Sequence, residues 1–167
     1  MSDILEADFG IRQLHARFTD AVWRKDAEAF GSCFTRDGEW KLAGMHFHGR
    51  EDISQNFAKL LGVCERVHLI VGLPVLDIDG HTAVGRVNFT EMAKMPDGSS
   101  ALTIGIYYDR YALEDGKWRF SWRHFSLQYR GPSDFSADLV PSPDYGPPPG
   151  MPAPDEPTLT RRKQPLD

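Results

Sequence analysis

Apolar residues near the start of the chain recur with a helical rhythm. Ile11, Leu14, Phe18, Ala21 and Val22 stand three or four apart, which predicts an amphipathic helix over roughly residues 3 to 25. Asp26 has the side chain of an N-cap. It precedes Phe30, Cys33 and Phe34, and Asp37-Gly38 supplies a stop, so a short second helix is expected between them. A third helix is predicted near Arg50 to Leu61, where Ile53, Phe57, Leu60 and Leu61 share one side. Before it, Glu39 to His48 reads as two short strands around Gly44.

From Arg66 onward the period shortens to two. Long runs rich in Val, Ile, Phe, Tyr and Trp are broken by Asp79-Gly80, Pro96-Asp97-Gly98 and Asp115-Gly116, which predicts four long antiparallel strands. Helices first and a meander afterwards imply an α+β fold, with three N-terminal helices on the concave face of a curved antiparallel sheet. Val67, Leu69, Val71, Leu73 and Val75 share one face of the first long strand, while Leu102, Ile104, Ile106 and Tyr108 share one on the third. Helices cover only one face, so a homodimer through the outer sheet face is expected; the alternative is that the C-terminal segment folds across it.

Composition narrows the classes. The chain has 167 residues, 41% hydrophobic and 26% charged, with a formal net charge of -5, as one soluble domain would. We place that domain at residues 1–135. Residues 136–167 form a Pro-rich extended tail, since nine of the twelve prolines fall after residue 140. The acidic balance argues against nucleic acid or a membrane surface as partner, and Arg161-Arg162-Lys163 is too short a basic run to reverse that. Cys33 and Cys64 make no CxxC, and the start of the chain lacks the basic and apolar regions of a leader, so a cytoplasmic location is expected.

No GxSxG, HExxH, P-loop or dinucleotide fingerprint occurs, and no cofactor is expected. The remaining chemistry lies in polar residues inside apolar strands. His68 alternates against Val67 and Leu69 and is expected to point beneath the helices, where a neutral imidazole can act as base. Arg86, Asn88 and Thr90 share a face of one strand; Thr103, Gly105, Tyr107 and Asp109 share one on the next. Together they are read as two stripes lining a pocket, where Tyr107 and Asn88 hold a substrate oxygen and Gly105 leaves room for a ring. Arg123 reaches either the substrate or Asp109, and Trp23 and Trp40 shape the walls. His46 and His48 lack the further ligands of a metal motif, so no metal is expected, and His15, His81 and His124 have no convergent partners in sequence.

The order of elements resembles the SnoaL-like branch of the nuclear transport factor 2-like superfamily, over roughly residues 5 to 130. Its carriers are Trp23-Arg24-Lys25-Asp26, Phe34-Thr35-Arg36-Asp37-Gly38-Glu39-Trp40, Arg66-Val67-His68-Leu69, Tyr107-Tyr108-Asp109-Arg110-Tyr111 and Asp115-Gly116-Lys117-Trp118-Arg119-Phe120. The resemblance implies a cone with a pocket inside. In family members that eliminate water or hydrogen chloride, a histidine on the first long strand is oriented by a carboxylate near the end of the first helix. His68 falls on the first position and Trp23 on the second, so the dyad is not preserved; Asp20, one turn earlier, is its substitute in this reading. Arg123 and Trp40 match the dehydrochlorinase's active-site cation and pocket tryptophan.

These features imply a cofactor-independent lyase or isomerase of dehydratase, elimination or carbon-carbon cleavage type. It acts on a small apolar, aromatic molecule by His-mediated proton transfer. The alternative is a non-catalytic binding or assembly module, similar to the small subunit of aromatic-ring dioxygenases.

Overall fold

A computed structural model describes residues 2–134 and 136–138. The predicted tail, apart from Ser136 to Asp138, lies outside the described residues. In chain order the elements are α1 (Ser2–Arg24), α2 (Ala27–Ser32), β1 (Phe34–Leu42), β2 (Met45–His48), α3 (Arg50–Gly62), β3 (Arg66–Val71), β4 (Val75–Asp79), β5 (Thr82–Lys94), β6 (Ser100–Glu114) and β7 (Lys117–Gly131). The Asp26 side chain accepts from the Ala29 amide at 2.9 Å and caps α2 as its residue type predicts. Asp115 and Gly116 both take positive φ, 51° and 71°, the geometry of the tight β6–β7 hairpin turn.

The seven strands form one curved, unclosed sheet in the order β2-β1-β7-β6-β5-β3, with β4 also on β5. Two expectations are corrected. The sheet is mixed rather than antiparallel, because β1 runs parallel to β7. A hairpin dictates direction only between consecutive strands, and five other strands lie between these two along the chain. Five strands rather than four follow Arg66. Gly72-Leu73-Pro74 interrupts the first run, and the two halves, β3 and β4, lie along different stretches of one edge of β5.

Register decides which residues share a face, since directly paired residues point the same way. The face beneath α1 carries Val67 and Leu69 of β3, Val87, Phe89 and Glu91 of β5, Thr103 to Tyr111 in alternation on β6, and Arg123 of β7. Ile11, Leu14, Phe18, Ala21 and Val22 of α1 are buried against this side. Phe30 of α2 stacks on Phe57 of α3 with centroids 3.7 Å apart, locking the short helices together. Leu102, Ile104, Ile106 and Tyr108 occupy the opposite, outer face and stay partly exposed, so the two apolar sets read from the sequence lie on different faces.

Candidate functional site

The interior contains a chain of polar groups that begins on α1. His15 sits within the apolar stripe between Leu14 and Phe18 and is buried. Its Nε2 lies 2.9 Å from the Tyr111 hydroxyl, which donates to Asp109 Oδ2 at 3.1 Å. Because the tyrosine's hydrogen goes to the carboxylate, the network assigns the His15 proton to Nε2 and leaves a bare lone pair on Nδ1. Burial, then the positive charges of Arg123 and Arg12, holds the His15 imidazole well below its usual range, so it is neutral.

Asp109 and Arg123 are both 0% exposed. Their Nε and Oδ1 atoms stand 3.0 Å apart without hydrogen-bond alignment, and Nη2 donates to Oδ2 at 3.3 Å. The rings of Tyr107, Phe120 and Phe18 pack against the guanidinium carbon at 3.7, 4.0 and 4.2 Å, an aromatic cage in place of water. Burial pushes the Asp109 carboxyl up to about 6, opposed by Arg123 and by the Tyr111 hydrogen bond. Burial likewise raises the Tyr107 and Tyr111 hydroxyls, which therefore stay protonated; that of Tyr111 donates to Asp109.

Among the described residues, the buried donors on this face without a hydrogen-bond acceptor include Arg123 Nε and Nη1, Trp40 Nε1 and the Thr103 hydroxyl. Trp40 and Arg123 are register partners across β1 and β7, while the indole packs among Phe30, Phe34 and Phe47 and the guanidinium among Phe18, Tyr107 and Phe120. Unmet donors inside an apolar core cost free energy, about 1–3 kcal/mol each, unless a ligand supplies the acceptor.

The structure sorts the predicted residues. Tyr107, Thr103, Asp109, Arg123 and Trp40 converge on the inner face. His68 does not: it pairs with Met92 on the opposite face and is exposed, because Val67 and Leu69, the more apolar choice, take the buried side of β3. Arg86, Asn88 and Thr90 are reversed for the same reason, since Asn88 pairs with Ile106 of the outer face. Asp20 is 60% exposed in its side chain and pairs with Arg24 at 2.8 Å. Trp23, 46% exposed, lies at the rim against the His68 ring (5.7 Å) and the Arg66 guanidinium (5.1 Å). The space over Gly105 is filled: a Cβ there would meet the Ser126 carbonyl at 2.5 Å and the Phe125 and Phe89 rings at 2.6 and 2.9 Å.

Residues 3–124 match the family profile described as SnoaL-like domain. The chain belongs to the SnoaL-like domain family. No protein of curated function matches this SnoaL-like chain. Solved structures share its fold. A protein of unknown function, Rv3472 from Mycobacterium tuberculosis, is 25% identical with a TM-score of 0.70 over 82% of this chain and 80% of that one. A candidate scytalone dehydratase from Novosphingobium aromaticivorans DSM 12444 is 15% identical, with a TM-score of 0.75 over 87% and 99%. A type 2 hexachlorocyclohexane dehydrochlorinase is 19% identical, with a TM-score of 0.72 over 89% and 98%.

Two residues of this SnoaL-like interior escaped the sequence reading. His15 lies between Leu14 and Phe18 on the buried stripe of α1, and Glu91 alternates with Phe89 and Ala93 on the inner side of β5. A polar side chain in phase with a buried apolar pattern is the signal that identifies both. Among the described residues no group of His, Cys, Asp and Glu is arranged to hold a metal ion, and no helix is long and apolar enough to cross a membrane.

Proposed function

We propose that this SnoaL-like protein is a cofactor-independent lyase or isomerase acting on a small aromatic molecule that carries an acceptor atom. The observation behind it is the buried Arg123 guanidinium, caged by three rings, with Nη1 lacking an acceptor, and the unmet Nε1 of Trp40, its register partner on β1. Donors fixed in a low-dielectric interior stabilise an oxygen or leaving group that gains negative charge while a proton departs elsewhere. The Tyr107 ring belongs to this cage, and burial keeps its hydroxyl protonated. His68 and Asp20 take no part, because both face away from it.

A thermal-shift screen of aromatic alcohols, ketones and dihydrodiols tests the reading. Saturable stabilisation of the wild type is expected, and Trp40→Phe, which removes the N–H donor together with the five-membered ring, weakens affinity about tenfold. A screen in which no compound raises Tm saturably, or in which Trp40→Phe binds as tightly as wild type, refutes it.

Two surface features bear on assembly. Ile70 and Met92, 51% and 43% exposed, adjoin the half-buried Leu102, Ile104 and Ile106, which supports the homodimer through the outer face. A solution mass that stays monomeric at all concentrations rejects it. The exposed Trp23 favours, as a second reading, a binding or assembly module with a larger partner; ligand-independent co-purification with such a partner is its test.

A further inference from the structure

We infer that Glu91 is the proton-transferring group of the interior site, with the Thr103 hydroxyl orienting the substrate beside it; the inference rests on the interior-site reading above. Glu91 stands on β5 between Leu69 of β3 and Thr103 of β6. Its same-face neighbours Phe89 and Ala93 are buried, and Glu91 stands half-buried between them. Among the described residues no hydrogen bond or ion pair satisfies that carboxylate. The adjacent Thr103 is 2% exposed and its hydroxyl has no partner either. A half-buried acceptor and a buried, unpartnered hydroxyl therefore stand side by side on neighbouring strands of the inner face.

The charged and titratable groups that act on Glu91 are few. Arg130 of β7 favours its ionised form, the Tyr107 phenol of β6 feels its charge, and the β3 neighbours on the inner face, Val67, Leu69 and Val71, are apolar. Burial holds the Glu91 carboxyl above the ordinary range, which brings its basicity closer to neutral pH. Asp109 cannot take this part, because it is sealed and committed to Arg123 and Tyr111. Glu91 is only partly covered, so a proton taken from a substrate can leave to solvent or return to product.

The step balances without another reactant. The Glu91 carboxylate removes a proton from a substrate carbon and forms its own O–H bond. The electron pair of the broken C–H bond moves to form a new π bond, expelling a leaving group or placing charge on an oxygen that accepts from the Thr103 hydroxyl. Protonated Glu91 then gives the proton to the leaving group or to a second carbon.

5-Nitrobenzisoxazole is a suitable probe, an aromatic carbon acid from which any positioned base removes the ring C–H proton while the N–O bond breaks to a coloured cyanonitrophenolate. The wild type should bind it saturably and turn it over with a rate that rises as one acid ionises, at a midpoint above about 4.3, the ordinary glutamate value. Glu91→Gln should lower the rate about 100-fold or more with binding retained, Glu91→Asp should retain part of it, and Glu65→Gln, an exposed glutamate on the sheet edge, should match wild type. Saturable binding with equal turnover in wild type and Glu91→Gln, including none in either, overturns the assignment of Glu91 but leaves the interior site standing. Absence of saturable binding by the wild type overturns the interior reading and this inference together.

Discussion

The buried Asp109–Arg123 pair poses a question of sign that pH can answer: does the loss of water or the attraction of Arg123 dominate the carboxyl? Burial places Asp109 at about 6 in the folded protein, against about 3.9 for an aspartate in the unfolded chain. An acid raised in this way contributes its full share of stability below pH 4 and loses it as pH climbs through 6. The total is on the order of 3 kcal/mol, most of it lost between about pH 4 and pH 6. His15 works in the other direction. Its folded value is depressed well below 6.5, so stability falls as pH drops beneath 6.5, by about 1.4 kcal/mol per pH unit. The two slopes nearly cancel between pH 4.5 and 6, and the wild type should be almost flat there as far as these two groups are concerned. Single substitutions separate them. Relative to wild type, Asp109→Asn should gain about 2 kcal/mol between pH 4.5 and 7.5, whatever its absolute stability, because Asn does not titrate. His15→Gln should tilt the opposite way and gain on the order of 2–3 kcal/mol on going from pH 6.5 to 4.5. Urea unfolding followed by circular dichroism at four pH values measures both. If Asp109→Asn instead loses ground as pH rises, the attraction of Arg123 outweighs burial and the reasoning is refuted.

Gly105→Ala should cost about 1–3 kcal/mol or more, because the new methyl would meet the Ser126 backbone carbonyl and two packed rings closer than any real Cβ contact; unchanged urea stability would show that the aromatic layer above it is loose. Phe30→Ala removes the ring that stacks on Phe57 and touches Phe18, Phe34 and Trp40, and should cost about 3–5 kcal/mol in the same assay. His68→Ala, on the exposed side of β3, should change stability by less than about 0.5 kcal/mol; a large loss would mean that the ring is held more firmly than its contact with Trp23 implies.

Much of the fold was legible because its signals are local. The helical period of Ile11, Leu14 and Phe18, the Asp26 cap and the Asp115-Gly116 turn act within a few residues of themselves, and each does in the structure what its residue type predicts. The inner residues of β6 were grouped correctly for the same reason, since alternation along one strand needs no other strand. The parallel pairing of β1 with β7 was not legible, because no hairpin links them.

Which face of each strand looks inward is a different matter. Alternation sorts residues into two sets but does not say which set is buried, and on β3 and β5 both sets hold apolar residues. Only the pairing of Val67 with Ala93, of Asn88 with Ile106 and of Gly105 with Phe89, under a helix lying on one side, settles that question. That choice turned His68 and Asn88 outward, filled the space above Gly105 and carried Glu91 inside. The amino-acid sequence by itself determined the elements, their caps and their turns, because those follow from interactions between near neighbours. The tertiary structure alone decided which polar side chains meet, because His15, Tyr111, Asp109 and Arg123 come from a helix and two strands that only the closed packing of helix on sheet brings within hydrogen-bonding reach.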